Sequence, residues 1–412
     1  MKLIKSISCL LATTAVMAGN LSGPISLPAA KTLPKGVRNV SLLGVMVEGN
    51  DKYSSNGEIV SLADPFYQPL SFSKIVAGQD DPTKAAEVET AFDKVMADGA
   101  DSIGDVSGQV NLTANATVAV FAYGVSNKVT AAIAVPVIKT SLNVSTAVNQ
   151  KNTALYNSLK QNLNMAPGKK EEFIQKLSAP VNEKLSEYGY KELVDEDETK
   201  LGDIKLVSKY KAFGNAKNAV VLTAEFTLPT GREEDINKAV DLPGGDGQLD
   251  TGLFANYDFY YNSWLTFSAQ AGHTVQWSDT AEKRVPFTNE SKLTPYIDKS
   301  VERDLGDISM AAMAAKINYE GVNFGVGYSH QYKDGDSYSG SVYKKEWYDL
   351  IGKETTQRME SVTLNAGYDT ISLFKKKKFA APLSLTGTFS KPISGKNVVK
   401  DSVTTVEFKL FF

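Results

Sequence analysis

Alternation of apolar and polar residues with a period of two is the strongest pattern in the chain. In the stretch VVLTAEFTLP, residues 220–229, one parity is entirely apolar, and the other carries two threonines, a glutamate and a valine before the closing proline. The same split recurs at residues 251–262 and in the last ten residues, VTTVEFKLFF. Because successive side chains of a strand point to opposite faces, this period predicts β-strands with one apolar face. Segments of about ten residues exceed the usual soluble strand and match a tilted strand that crosses a bilayer.

The connections between the predicted strands are short and long by turns. The short ones are residues 125–128, 214–218, 262–263 and 320–321, and the long ones are 146–200, 229–250, 277–307 and 334–357. Short turns at one rim and long loops at the other are typical of transmembrane barrels, whereas a soluble β-sandwich has no reason to sort its loops. The sequence therefore predicts an all-β fold, a closed antiparallel transmembrane β-barrel of about 12 to 14 strands, built from residues 19–412.

Two insertions depart from the strand pattern and predict helices. Residues 63–105 include DPTKAAEVETAFDKVMADG, with apolar residues at three-to-four spacing and acids near the start, as in an amphipathic helix. We expect this segment to be a plug inside the lumen or a cap at the periplasmic rim. Residues 146–200 show the same spacing, interrupted at Pro167 and Pro180, and predict a helical outer loop to which the sequence assigns no role.

The first residues, MKLIKSISCLLATTAVMAGN, predict a secretory signal peptide over residues 1–18. Two lysines precede an apolar run that ends in small residues, and the run is shorter than the ~20 residues that a membrane-spanning helix needs. The only cysteine, Cys9, lies in this run. The exported chain is therefore expected to lack disulfides and thiol chemistry.

Composition adds two constraints. The net charge is -3 and charged residues make up 22% of the chain, so no electrostatic argument favours a nucleic-acid partner. The content of 31 glycines, 18 tyrosines and 18 phenylalanines suits strands and turns.

On the barrel hypothesis, one parity of each strand faces the lumen and would line a pore. The predicted pore-lining residues are Lys205, Lys209, Thr223, Glu225, Thr227, Asn256, Asp258, Glu407 and Lys409. A turn centred near Ala216 would bring Lys205 close to Glu225 across a hairpin, which is a favourable pair of opposite charges. Two alternatives remain for the interior, one filled by such pairs and one open to water or solutes. A barrel of this size favours the open one, because about eight strands are already filled by side chains.

No constellation in the sequence predicts catalysis, a cofactor or a metal site. The two histidines, His273 and His330, share the lipid-facing parity near strand ends, together with Trp277 and Tyr332, and predict an interfacial aromatic girdle. The acidic loops DLPGGDGQLD and DGDSYSG lack the full EF-hand spacing, so we interpret them as solvated turns rather than calcium sites.

Two stretches resemble a known family. They are AYGVSNKVTAAIAVPVI, residues 122–138, and DIKLVSKYKAFGNAKNAVVLTAEFTLPTGRE, residues 203–233, followed by GDGQLDTGLFANYDF. These resemble the outer-membrane barrels of the phenol meta-pathway group and, more remotely, the FadL-type transporters of hydrophobic compounds. The resemblance implies a passive outer-membrane channel or transporter for small, hydrophobic solutes, without chemistry or cofactor. The NPA-type plug motif of FadL-type proteins is not found after the predicted signal peptide.

The C-terminal strand carries a second resemblance. Phe408, Leu410 and Phe412 share one parity and end the chain, similar to the signal that the barrel assembly machinery reads in bacterial barrels. The expected partners are therefore outer-membrane lipid, this machinery and a small-molecule solute, while the oligomeric state stays open. The alternatives to a channel are a surface-interaction barrel whose outer loops bind a partner, and a barrel hydrolase acting at the lipid face.

Overall fold

The fold is taken from a computed structural model, which describes residues 21–22, 24–62, 68–71, 86, 89–90, 102–150, 181–288 and 294–412. The predicted signal peptide, residues 1–18, lies outside the described residues. So do most of the predicted plug or cap at 63–105 and residues 151–180 of the predicted outer loop.

The described part of the chain is built mainly from strands. In chain order the elements are β1 (Arg38–Gly49), β2 (Asp51–Tyr53), β3 (Ile59–Ser61), β4 (Gln68–Ser71), β5 (Ser102–Gly124), β6 (Val129–Gln150), α1 (Val181–Glu187), β7 (Glu196–Leu201), β8 (Ile204–Gly214), β9 (Asn218–Leu228), β10 (Asp250–Tyr260), β11 (Leu265–Gln276), β12 (Asp279–Arg284), β13 (Ile297–Asp304), β14 (Ile308–Tyr319), β15 (Val322–Lys333), β16 (Ser337–Ser339), α2 (Lys345–Ile351), β17 (Gln357–Asp369), α3 (Ile371–Lys375), β18 (Leu383–Lys396), β19 (Val398–Val399) and β20 (Ser402–Phe411). None of the helices in these described ranges is long and apolar enough to cross a membrane.

Twelve of the strands form one closed antiparallel barrel. Going around the wall, the order is β1, β20, β18, β17, β15, β14, β11, β10, β9, β8, β6 and β5, and β5 pairs back to β1. The first and last strands close the wall, with Asn39 opposite Phe411 and Glu48 opposite Ser402. The predicted fold class is confirmed, at the lower end of the predicted strand number.

The connections are sorted between the two rims as the sequence predicts. The short-turn rim carries residues 125–128, 215–217, 261–264, 320–321 and 370–382, together with Phe412. The strand ends at the other rim, the long-loop rim, are joined by the longer connections, which follow β1, β6, β9, β11, β15 and β18. At the long-loop rim β12, β13 and β16 form a small separate sheet, and β19, β2 and β3 form another.

The predicted helical insertions are partly strand where the structure describes them. The hairpin of β5 and β6 continues well beyond the barrel wall, with Gly104 paired to Gln150, and β7 adds to the outer part of β6. Residues 146–150 and 196–200 are therefore strand rather than helix, and the short helix α1 lies in the described part of the loop, which begins at residue 181. The physical reason is that the backbone of each long strand is hydrogen-bonded to its neighbour. This pairing stabilises the strand, and the spacing of apolar side chains does not indicate it.

The outward face of the wall is a continuous apolar band. Leu253, Met313 and Phe408, on three strands spread around the barrel, are each between 45% and 63% exposed. Exposed apolar area extending around a whole sheet is not a property of soluble monomers and fits a surface that faces lipid.

We predict that Gly124→Ala destabilises the barrel, because the chain entering β1 lies against this residue. Gly36 donates a hydrogen bond to the carbonyl of Gly124 at 2.8 Å, and a Cβ added at Gly124 would lie 1.9 Å from the carbonyl oxygen of Pro34. Relieving such a backbone overlap costs about 1–3 kcal/mol. The measurement is the urea midpoint of the refolded protein in detergent micelles.

Gly44→Ala is the matched control in the same wall, since a Cβ there meets no atom within 4 Å. Equal midpoints for the two alanine variants would contradict the close approach at Gly124.

Candidate functional site in the barrel lumen

The nine residues predicted to line a pore all lie on the more buried parity of their strands. Lys205 and Lys209 alternate with exposed Leu206 and Tyr210 on β8, and the same alternation holds on β9, β10 and β20. In a closed barrel that parity is the inner face. The alternation of burial places these residues on the inner face of the wall. Their role in a pore stays a prediction.

The inner residues divide into covered and water-accessible ones. Thr223, Thr227, Asn256 and Asp258 are at most 4% exposed. The Asn256 amide donates to Thr223 at 3.3 Å, and Ser268 donates to Asp258 at 2.5 Å. These four residues are therefore packed into the interior rather than bordering open space.

The remaining five form what we call the lumen charge cluster, Lys205, Lys209, Glu225, Glu407 and Lys409. The Lys205 Nζ lies 4.0 Å from Glu225 Oε2, as the hairpin register predicts, and Lys409 Nζ lies 2.7 Å from Glu407 Oε2. Lys209 interacts electrostatically with Glu225, Glu407 and Lys409. Although β8 and β20 are separated by three strands of the wall, their charges thus meet inside the barrel. The cluster mixes both signs and retains solvent access.

A stretch of the chain that the sequence did not single out runs through the lumen. This lumen segment is residues 21–34, LSGPISLPAAKTLP, of which residue 23 is outside the described part. It contains three prolines, which lack an N–H donor and keep the backbone out of helix and ladder. The segment is accordingly free of regular secondary structure, and a few of its backbone groups bond to side chains of the barrel wall.

At the long-loop rim the segment is anchored by inner amide side chains. The Leu21 N–H donates to Gln357 Oε1 at 3.1 Å, and the Gln331 amide donates to the Ser22 carbonyl at 2.8 Å. The Leu21 side chain is buried against Tyr53 and Met359.

Midway through the lumen the segment packs against a part of β15 whose inward positions are glycines. A Cβ added at Gly325 or Gly327 would lie 2.6 Å from a methyl group of Leu27, so the two glycines leave the space that this leucine fills. The Lys316 ammonium donates to the Pro28 carbonyl at 2.7 Å. Lys316 also lies 3.5 Å from Asp258, which links the segment to the covered polar residues.

Near the short-turn rim the segment joins β1. The Leu33 N–H donates to Thr130 Oγ1 at 2.7 Å, and the Lys35 N–H donates to Asn127 Oδ1 at 3.1 Å. The segment therefore traverses the barrel from one rim to the other and occupies its interior.

One side of the inner wall is apolar. Inner residues of β1, β5, β6 and β20 form a buried cluster against which Ile25 packs; they are Leu43, Val45, Val47, Ala114, Ala116, Val118, Ile138 and Val403. The lumen thus has an apolar side covered by the segment and a charged side at the lumen charge cluster.

The histidines face outward, as predicted, and each has a ring nitrogen near a polar side chain; His330 Nδ1 is 3.7 Å from Glu360 Oε1. His273 Nδ1 lies 3.0 Å from Ser309 Oγ, and its Nε2 lies 3.3 Å from Asp307 Oδ2. A hydrolytic triad also needs donors for an oxyanion. At the next outward register positions, Ala271 and Ala311, the side chains carry no donor and the backbone belongs to the paired β11–β14 ladder. We interpret this network as orienting the ring at the rim.

The acidic loop DLPGGDGQLD is buried, so its interpretation as a solvated turn was wrong. Asp241 is 5% exposed and forms a two-pronged salt bridge with Arg232, at 2.7 and 2.8 Å. Burial raises the pKa of the neighbouring Asp203 to about 6. No group of three or more His, Cys, Asp or Glu side chains placed to hold a metal ion is found among the residues that the structure covers.

Asp401, between β19 and β20, is a buried carboxyl at the mouth of the lumen. It is 6% exposed, and its Oδ1 has no hydrogen-bond partner within the described residues. Burial raises the pKa of Asp401 to about 7.

We predict that Asp401→Asn stabilises the protein above pH 7 and has little effect near pH 4. The folded chain keeps a proton on Asp401 that the unfolded chain releases above pH 3.8. The contribution of this group to stability is therefore present below pH 3.8 and lost as the pH rises to about 7. The upper bound of the gain is about 4 kcal/mol, at about 1.4 kcal/mol for each pKa unit. Urea midpoints of both proteins from pH 4 to 8 measure it, and a gain independent of pH would contradict the assignment.

Comparison with known proteins finds structural likeness without sequence likeness. No protein-family profile matches the chain, and no curated protein sequence matches it. Among solved structures, an outer membrane channel from Pseudomonas putida F1 is similar with a TM-score of 0.54 at 12% identity, covering 94% of this chain and 100% of that one. The CymD monoaromatic hydrocarbon channel gives 0.36 at 11% identity, covering 92% and 89%. The Ralstonia pickettii toluene transporter TbuX gives 0.34 at 10% identity, covering 99% and 93%. The first likeness shows that this chain has the fold of an outer-membrane channel barrel.

Proposed function

We propose that this chain is a passive outer-membrane channel for small, hydrophobic solutes, exported through a cleaved signal peptide, and that solute passes when the lumen segment shifts. The observation that carries the proposal is the segment itself, which fills an otherwise wide interior through a small set of hydrogen bonds. A barrel of twelve strands has more interior than its own side chains fill. In this proposal the segment itself controls passage, because it blocks the lumen until it shifts.

The inner wall supports an apolar solute. Displacing Ile25 would uncover the apolar side formed by β1, β5 and β6, and an apolar solute could replace the contacts that the segment gives up. Four hydrogen bonds to inner side chains hold the segment, worth roughly 0.5–1.5 kcal/mol each. The segment can therefore shift at a moderate cost in free energy while the wall stays folded.

In this proposal the lumen charge cluster lines the water-accessible side of the path. Thr223, Thr227, Asn256 and Asp258 become pore-lining only after the segment moves, since the packed interior covers them. We assign no catalytic residue, metal or cofactor to the path.

We predict that deleting residues 21–34 raises single-channel conductance in planar bilayers severalfold. The reason is that the deletion removes the only described segment of chain that traverses the lumen between the rims. The rate at which a small aromatic hydrocarbon enters liposomes, measured by fluorescence quenching, should rise together with the conductance. Unchanged conductance and permeation would contradict the proposal.

A reversible tether provides the matched test in a full-length chain. The exported protein is expected to be free of thiols, because Cys9 lies in the predicted signal peptide. In Leu27→Cys/Gly327→Cys a disulfide would hold the segment on β15, and conductance should be low until reductant is added. Leu27→Cys alone should not respond to reductant.

A second function, binding of a partner through the outer loops, is favoured by one observation. Phe287, Tyr296, Tyr343 and Trp347 form a ring cluster at the long-loop rim, with Tyr343 and Trp347 stacked at 5.4 Å. Replacing residues 334–356 with a short turn distinguishes the two functions. Loss of cell adhesion with an unchanged solute flux would favour the binding function.

We also propose that Phe408, Leu410 and Phe412 are the contact for the barrel assembly machinery. All three lie on the outward parity of the closing strand, so they are accessible before the strand pairs. Deleting Phe412 should lower the amount of protein in outer-membrane fractions more than Phe389→Leu, which changes an outward phenylalanine inside β18. Equal amounts would argue against this role.

A further inference from the structure

The outward face carries a basic sector at one place near the long-loop rim. Arg358 on β17 and Lys391 and Lys396 on β18 are all exposed on the outer surface. Tyr332 on β15 lies directly beside Arg358 in register, and Arg358 lies directly beside Lys396. We call Arg358, Lys391, Lys396 and Tyr332 the outward basic sector.

The sector places like charges together. Directly opposed residues of neighbouring strands have Cβ atoms about 5 Å apart, and like charges at such positions are destabilising. A β-bulge after Glu360 shifts the register of β17 on β18 at this point, and bulges re-aim side chains. Ile393 and Lys396 both face outward as a result, although they are three residues apart.

The cations of the sector form no salt bridge with a neighbouring side chain that the structure describes. Across the described ranges, no salt bridge joins Arg358, Lys391 or Lys396 to a carboxylate. The nearest outward carboxylate along β17, Glu360, is instead 3.7 Å from His330 Nδ1. Two opposed cations that form no such salt bridge leave their hydrogen-bond donors available to an anion from outside the chain.

Three other strands that reach this rim, β8, β9 and β10, lack this arrangement. The outward residues near the long-loop ends of β8, β9 and β10 include Leu206, Phe226 and Leu253, which are 40%, 44% and 63% exposed. The basic sector of β15, β17 and β18 is thus not repeated on these three strands.

Below the sector the outward face is apolar. Leu364 and Phe389, paired across β17 and β18, and Val326 on β15 are between 42% and 44% exposed. Cations above an apolar surface match a molecule with an anionic head and hydrocarbon chains. Arginine binds phosphate through two parallel hydrogen bonds, and Tyr332 has the amphipathic ring typical of the headgroup level.

We propose that the outward basic sector binds the phosphorylated headgroup of a glycolipid in the leaflet at the long-loop rim, with the acyl chains against Leu364 and Phe389. Arg358 and Lys396 hold one phosphate between them, and Lys391 contacts the head from the apolar side. The inference rests on the proposed outer-membrane location and is independent of whether the lumen conducts.

The test is a lipid titration of the purified, delipidated protein in detergent, read by native mass spectrometry. The probes are bisphosphorylated lipid A and the same lipid with both phosphates removed. We expect the phosphorylated form to bind at least about tenfold more tightly, since one charge-assisted hydrogen bond accounts for such a factor. Arg358→Gln/Lys396→Gln should lose this preference.

The control is Lys375→Gln/Lys376→Gln, which removes two exposed lysines at the short-turn rim and should bind as the wild type does. Arg358→Lys/Lys396→Arg keeps both charges and should retain most of the affinity. Heat-modifiable gel migration verifies that each variant is folded, and the charge-conserving variant distinguishes lost contacts from lost structure.

Three outcomes would overturn the proposal. They are equal binding of the two lipid forms, wild-type affinity in Arg358→Gln/Lys396→Gln, and displacement of the lipid by millimolar inorganic phosphate, which would indicate a site for the free anion. Because binding is read in detergent, a barrel that fails to conduct in the bilayer experiments leaves this result unaffected.

Discussion

The backbone ladder that joins β1 to β20 is the constraint on which the rest of the structure depends. It pairs the first barrel strand with the end of the chain and so leaves the wall without an open edge. In a bilayer each unpaired backbone group would cost several kcal/mol, so an open sheet could not present its apolar face to lipid. Closure also gives every strand an inside and an outside, and thereby sorts the charges of β8, β9 and β20 into one interior.

Closure of twelve strands also leaves a wide interior, and residues 21–34 fill it. A wall of this size encloses more space than its side chains fill. The lumen segment occupies that space, and Leu27 packs where Gly325 and Gly327 leave room. Proline keeps the segment extended, so it adds no strand to the barrel and forms few hydrogen bonds with the wall. Because few hydrogen bonds hold the segment, it can also leave the wall at a moderate cost in free energy.

The wall could be predicted from the sequence because each strand repeats a period of two, and each short turn fixes the register of its hairpin. The pair between Lys205 and Glu225 followed from the turn at residues 215–217 in this way. The lumen segment could not, since an extended, proline-rich stretch has no periodicity, and its contacts come from residues hundreds of positions away. The burial of the loop that contains Asp241 was not predicted for a different reason. Its partner Arg232 is only nine residues away, but both residues lie in an irregular loop, where no periodicity indicates which side chains meet.

Hydrogen exchange of residues 21–34 in the protein reconstituted in lipid tests the central claim most directly. The backbone amides of Leu21 and Leu33 donate to Gln357 and Thr130 inside the barrel, so the peptide containing them should exchange much more slowly than the exposed turn at residues 379–380. Exchange is expected to become faster when an apolar solute is added, because the segment then leaves the wall for part of the time. Exchange of residues 21–34 at the rate of the exposed turn, with or without solute, would contradict a lumen filled by this segment.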